Sequence, residues 1–75
     1  MFDRITFDAQ VMGGRACIRG MRVTVSLVVN LVANGMPIEE IVREYPDLEP
    51  ADVRQALSYA AALANDEVVF TSPAA

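Results

Sequence analysis

The stretch MPIEEIVREYPDLEPADVRQAL, residues 36–57, reads as two helices joined by a tight connection. Pro37 suits a first helical position, where its fixed φ helps and its missing N–H costs nothing. Ile38, Ile41, Val42 and Tyr45 then recur at i, i+3, i+4 and i+7, one face of a helix. Glu39, Glu40 and Glu44 face outward, with Glu39–Arg43 as an i,i+4 pair. Pro46 excludes the residue before it from the α region, so this helix should close near Glu44. A connector of Asp47 to Pro50 follows. Pro50 again suits a first helical position, and Asp52 near the helix start complements the dipole. The last helix is predicted over residues 50–65, with Val53, Leu57, Ala60 and Ala64 as its buried stripe and Ala56 and Leu63 beside it. A short helix, a brief connector and a longer helix make the spacing of a helix-turn-helix.

Upstream, a helix is predicted over residues 25–34. Thr24 is its N-cap, and Gly35 stands where a left-handed residue ends a helix. Only Ser26, Asn30 and Asn34 are polar, and they share one narrow face. A helix so apolar is buried. Two burials are open: the centre of the core, or a dimer interface. Before it, Ile5-Thr6-Phe7, Cys17-Ile18-Arg19 and Met21-Arg22-Val23-Thr24 alternate as short strands, the latter two around Gly20. The expected fold is mainly α: a three-helix, helix-turn-helix bundle with a short N-terminal β-hairpin. Residues 1–67 form one domain, with an Arg-rich β-region at 1–24 and helices at 25–65. Residues 66–75 form a tail with one apolar knot, Val68-Val69-Phe70.

The chain has 75 residues, 53% of them hydrophobic, and a net charge of −4. Scaffolds this small generally need a staple. Cys17 is the lone cysteine and there is no histidine, so neither a disulfide nor a zinc site is expected. Association with a partner remains. No run approaches the roughly 20 apolar residues of a membrane span. Residues 1–4 lack an apolar signal region, and one unpaired cysteine suits a reducing compartment; the expected location is cytoplasmic.

Charge is uneven. Residues 1–22 carry Arg4, Arg15, Arg19 and Arg22 against Asp3 and Asp8, whereas residues 23–75 carry Arg43 and Arg54 against eight acids. All six basic residues are arginine. The guanidinium fork suits carboxylate or phosphate recognition, although a GC-rich genome would also enrich it. No histidine is present to serve as a base, and the acids lie on outer helix faces or at helix starts. Gly13-Gly14-Arg15 lacks the spacing and lysine of a phosphate loop. No catalytic residue, cofactor or metal ligand is expected, and the chain is read as a non-enzyme.

As a DNA reader, the last helix would offer Asp52, Arg54, Gln55, Ser58 and Tyr59 near its start. That is a poor face for phosphate neutralisation. The candidate nucleic-acid contacts are therefore Arg4, Arg15, Arg19, Arg22, Arg54 and Gln55, gathered from two copies of the chain. Ile18, Val23, Val28 and Leu31 are candidate dimer contacts. Val68, Val69 and Phe70 are expected to form a strand or hook that a protein partner orders.

The runs Ile5-Thr6-Phe7-Asp8, Met12-Gly13-Gly14-Arg15, Cys17-Ile18-Arg19-Gly20 and Arg22-Val23 resemble the signature of the bacterial domain-of-unknown-function 433 family. The likeness continues through Val25-Ser26, Leu31-Val32-Ala33-Asn34-Gly35, Ile38-Glu39-Glu40-Ile41, Tyr45-Pro46-Asp47-Leu48 and Asp52-Val53-Arg54-Gln55-Ala56-Leu57. It covers roughly residues 4–67. The family commonly has Pro where Ala9, Ala16 and Thr24 stand, and Thr where Met21 stands. The resemblance implies a homeodomain-like unit, often a homodimer. It implies the antitoxin half of a type II toxin–antitoxin pair, which inhibits a PIN-like ribonuclease toxin and binds its operon's promoter DNA. The alternative is a dimeric helix-turn-helix regulator without a toxin.

Overall fold

The computed structural model describes the backbone of residues 2–71 and the side chains of residues 2–65. The elements run β1 (Ile5–Thr6), β2 (Cys17–Ile18), α1 (Val25–Ala33), α2 (Ile38–Glu44) and α3 (Pro50–Thr71), with a turn at Met12–Gly14 between the strands. It is a three-helix unit behind a small antiparallel ribbon.

The ribbon is shorter than the alternation suggests. β1 and β2 pair antiparallel, Ile5 opposite Ile18 and Thr6 opposite Cys17. The third expected strand contracts to one bridge, Cys17 to Thr24. A tight turn causes this. Arg19 (φ 46°) and Gly20 (φ 74°) both adopt left-handed backbone, and the Met21 N–H donates to the Ile18 carbonyl at 2.8 Å. Two successive positive φ angles define a type I′ turn, which glycine accepts freely and arginine does not. The chain re-pairs where the Ile18 N–H reaches the Val23 carbonyl and the Val25 N–H reaches the Ala16 carbonyl, both at 2.9 Å. Cys17 and Ile18 are both buried, so β2 does not alternate one covered face with one exposed face.

The helix ends follow local chemistry. Thr24 caps α1, its hydroxyl accepting the Leu27 N–H at 3.0 Å. At the other end the Gly35 N–H reaches Val32 and the Met36 N–H reaches Leu31. With Gly35 at φ 91°, this is a Schellman closure. Pro37 is the N-cap of α2 rather than its first residue, a shift of one position. α3 departs furthest, continuing to Thr71 where an end near Asn65 was expected. Its backbone is thus helical through positions 68–70, expected as strand or hook. The side chains of Val68, Val69 and Phe70 lie outside the described residues.

The core joins Ile5, Ile18, Val25, Val28, Ile41, Leu48, Val53 and Ala56. Every element contributes, and Leu48 fills the α2–α3 connection. Ile18 and Val28 are fully enclosed by their own chain. A fully enclosed side chain cannot meet a second copy, which corrects their placement at a dimer interface. Val23 and Leu31 are half-buried. α1 is largely the central core helix, with Ser26, Asn30 and Ala33 exposed. The stripe on α3 runs only part of the predicted way: residues 61–65 are all exposed, Ala64 included. No helix of the described residues is long and apolar enough to cross a membrane.

Candidate functional site

Asp52 is the third residue of α3, a position where an acid commonly complements the helix dipole in solvent. Here it is completely buried, not an exposed DNA contact. The connector and the ribbon close over it. Its carboxylate reaches back to accept the Glu49 N–H at 2.8 Å, the backbone half of a capping box. Arg19 donates to it through Nε at 3.0 Å and through a terminal nitrogen at 2.9 Å. Arg4 adds a third cationic contact at 2.8 Å. Arg4 also pairs with Glu49 at 2.8 Å, and Arg19 also donates to the Asp47 carbonyl at 2.7 Å. The two arginines are linked as well, since the Arg19 N–H donates to the Arg4 carbonyl at 2.8 Å.

The left-handed backbone at Arg19 has its explanation here. A non-glycine residue in that region is strained by about 1–3 kcal/mol. The turn aims the guanidinium fork at Asp52, and charge-assisted bidentate contacts are among the strongest a side chain makes. Gln55 belongs to the same seam: its Oε1 accepts the Arg4 N–H at 2.6 Å, and its Nε2 donates to Asp3 at 3.0 Å. Arg4, Arg19 and Gln55, three candidate nucleic-acid contacts, are therefore engaged inside the chain. Arg15, Arg22 and Arg54 are exposed, but they are dispersed over the Met12–Gly14 turn region, the ribbon and α3.

Burial alone would push Asp52 up. The Arg19 guanidinium, the Glu49 N–H and the Arg4 guanidinium together outweigh it and hold the carboxyl at about 2. The same contacts raise both arginines, for Arg4 through Glu49 first and Asp52 second. A carboxyl depressed from 3.8 to about 2 adds stability that is full above its unfolded value. That stability is lost as pH falls from about 4 toward 2, and amounts to about 2 kcal/mol. Urea titrations across this window should show it as acid sensitivity that Asp52→Asn lacks. Equal acid slopes in both proteins would remove Asp52 as the source.

A second feature lies further along the same face of α3, since Tyr59 and Leu63 stand seven and eleven residues beyond Asp52. Phe7, Val25, Val29, Tyr59, Ala60 and Leu63 line most of an open groove of about 480 Å³, with Arg15, Ser26 and Asn30 also bordering it. Tyr59 is the pivot of its aromatic end. It meets Phe2 edge-on at 5.3 Å and Phe7 at 6.2 Å between ring centroids. Phe7 and Leu63 are 61% and 51% exposed, high values for large apolar side chains. The residue alternation gave no hint of this groove, because Phe7 is assigned there to a strand that stops at Thr6. A further depression between α2 and α3 is lined by Ile38, Val42 and Pro50, with Glu39 and Arg54 beside it.

Neither feature holds a nucleophile beside a base. Cys17 is buried and free, and no group of three or more metal-ligating side chains occurs among the described residues. What the arrangement offers is surface: an acidic helix-turn-helix face and an apolar groove. The family model described as protein of unknown function (DUF433) matches residues 5–60. That span includes both strands, α1, α2, the buried Asp52 and the first half of α3. No curated protein matches the chain, and no solved structure does.

Proposed function

We propose, on the premise that the chain belongs to the DUF433 family, that it is the antitoxin component of a type II toxin–antitoxin pair. It binds and neutralises a PIN-like ribonuclease through protein–protein contacts. One observation carries this reading in preference to a DNA-binding regulator. The Asp52 seam takes Arg4 and Arg19 out of the supply of free cations and pairs them with Asp52 and Glu49. From six arginines and ten acids, four arginines remain against eight acids. Such a surface repels phosphate and attracts a basic protein, including one that holds RNA in a positive cleft.

The helix-turn-helix is then a structural frame. Its outer α2 face carries Glu39 and Glu44, both exposed, and Glu39 borders the apolar depression at Ile38, Val42 and Pro50, with Arg54 beside it. Apolar contact bordered by charged groups suits a stable yet salt-sensitive complex. Co-expression with the product of the neighbouring gene tests the proposal. That product should arrest growth alone, lose its toxicity beside this chain and co-purify with it, less so at high salt. A harmless neighbour, or a toxic one that fails to co-purify, sinks it. In a mobility-shift assay on the upstream promoter, the free chain should give only weak retardation that salt abolishes. A tight, sequence-specific complex would favour the regulator.

A further inference from the structure

The groove between α1 and α3 differs in charge from the rest of the chain. Ten acids stand against six arginines in the sequence, yet among the described residues no acid lines this groove, and Arg15 is its one charged wall residue. The neighbouring backbone fixes where Arg15 starts from. The Ala16 carbonyl accepts the Val25 N–H at 2.9 Å, which ties the segment after the Met12–Gly14 turn to the start of α1. None of the ion pairs among the described residues involves Arg15, whereas Arg4 and Arg19 are held by the Asp52 seam. The first turn of α1 contains no acid that could claim it. Beside it, the Ser26 hydroxyl and the Asn30 amide, 3.5 Å apart, form a neutral polar edge. The remaining walls are apolar, with an aromatic end at Phe7 and Tyr59.

Size decides between classes of occupant. The lining residues lie within 25–30 of α1 and 59–63 of α3, about 6–8 Å of each helix. A partner helix gripping through i, i+4 and i+7 needs roughly 10 Å and would overrun these walls. The volume of about 480 Å³ falls within the roughly 300–1,000 Å³ of small-molecule sites, which are apolar with a few placed polar groups. We propose that the groove binds a small aryl-substituted carboxylate. Its carboxylate accepts the planar fork of Arg15, a geometry suited to bidentate contact. Its ring packs on Tyr59 and Phe7, which already meet each other at a tilt, and its linker lies against Val29 and Leu63. The site shares no residue with the α2 face assigned to the toxin, so it goes beyond that reading, and either can fail alone.

Phenylbutyrate titrated into the intact chain, followed by amide chemical shifts, tests the proposal. Saturable shifts at Ala16, Val25, Val29 and Ala60 are expected, with a dissociation constant on the order of 0.1–1 mM for so small a ligand. Phenylbutanol, which lacks the charge, should bind about tenfold more weakly. Arg15→Gln should lose the same factor for phenylbutyrate and nothing for phenylbutanol. That difference marks a direct contact between Arg15 and the carboxylate, because a general distortion of the groove would weaken both ligands. Arg15 is exposed and outside the core, so the variant should keep the wild-type circular dichroism. Absence of saturation below about 5 mM, equal affinity for the alcohol, or a loss in Arg15→Gln shared by both ligands overturns the proposal. So do shifts centred on the α2–α3 depression, and so do groove shifts that follow protein concentration instead of ligand, which would make a second copy the occupant.

Discussion

Asp52→Ala is expected to cost about 3 kcal/mol of unfolding free energy, the largest loss from any single polar replacement in this chain. The carboxylate is fully buried and satisfies four groups: the Glu49 N–H, the Arg19 Nε and terminal nitrogen, and an Arg4 nitrogen. Removing one partner of a buried ion pair commonly costs about 3–5 kcal/mol, because the charges left behind lose their compensation. Two effects pull toward the lower end. The Arg4 and Arg19 side chains are 30% and 38% exposed, so both recover some water. Arg19 can also relax from its left-handed backbone. The loss is still a large share of the roughly 4–11 kcal/mol that a domain of this length possesses. Urea denaturation of the alanine and asparagine variants measures it. A loss below about 1 kcal/mol would show that the seam behaves as a surface ion pair.

Ile18→Ala is expected to cost about 2–4 kcal/mol through a cavity at the centre of the core. Ile18 lies opposite Ile5 in the strand pair and packs in the cluster containing Val25, Val28 and Ile41. The sequence pattern alone places it at a dimer contact, and the two positions predict different behaviour. A core cavity weakens the monomer itself, so the deficit relative to wild type should be the same at low and high protein concentration. An interface residue would give a deficit that grows with concentration, as mass action requires. Denaturation curves at two widely separated concentrations distinguish them. Loss of dimer without loss of monomer stability would return Ile18 to the surface.

The contrast between what was legible and what was not follows the range of the interactions. Thr24, Gly35, Pro37 and Pro50 act on their immediate neighbours, and each marks a helix boundary to within a residue. The α2 stripe at Ile38, Ile41 and Val42 is likewise local, a matter of helical period. Asp52 looks ordinary in sequence, because an acid at the start of a helix usually faces water. Its partners lie 33 and 48 positions away, beyond any local pattern. The signal was present in part: Glu49 to Asp52 is the spacing of a reciprocal cap. The far end of α3 fails for the opposite reason. Alanine-rich segments favour helix without a built-in stop, and Asn65 does not supply one. Phe7, Tyr59 and Leu63 form a groove only once α3 crosses behind the ribbon. Fold class and family membership were readable from the chain; the two surfaces had to be seen folded.

The wide sequence separation of the Asp52 contacts also bears on the order in which the protein assembles. α2 and α3 are neighbours in the chain and can meet early, at the small entropy of a short loop. Arg19 and Arg4 can join only after much longer loops have closed, so the seam is expected to form late in folding, which a low φ-value for Asp52→Asn would show. Contacts made after the barrier leave the folding rate nearly unchanged and slow the reverse step instead. Arg4 and Arg19 thus act as a latch on an already assembled helix pair. The ribbon cannot peel away without leaving a buried carboxylate short of its counter-charges, so Asp52→Asn is expected to speed unfolding more than it slows folding.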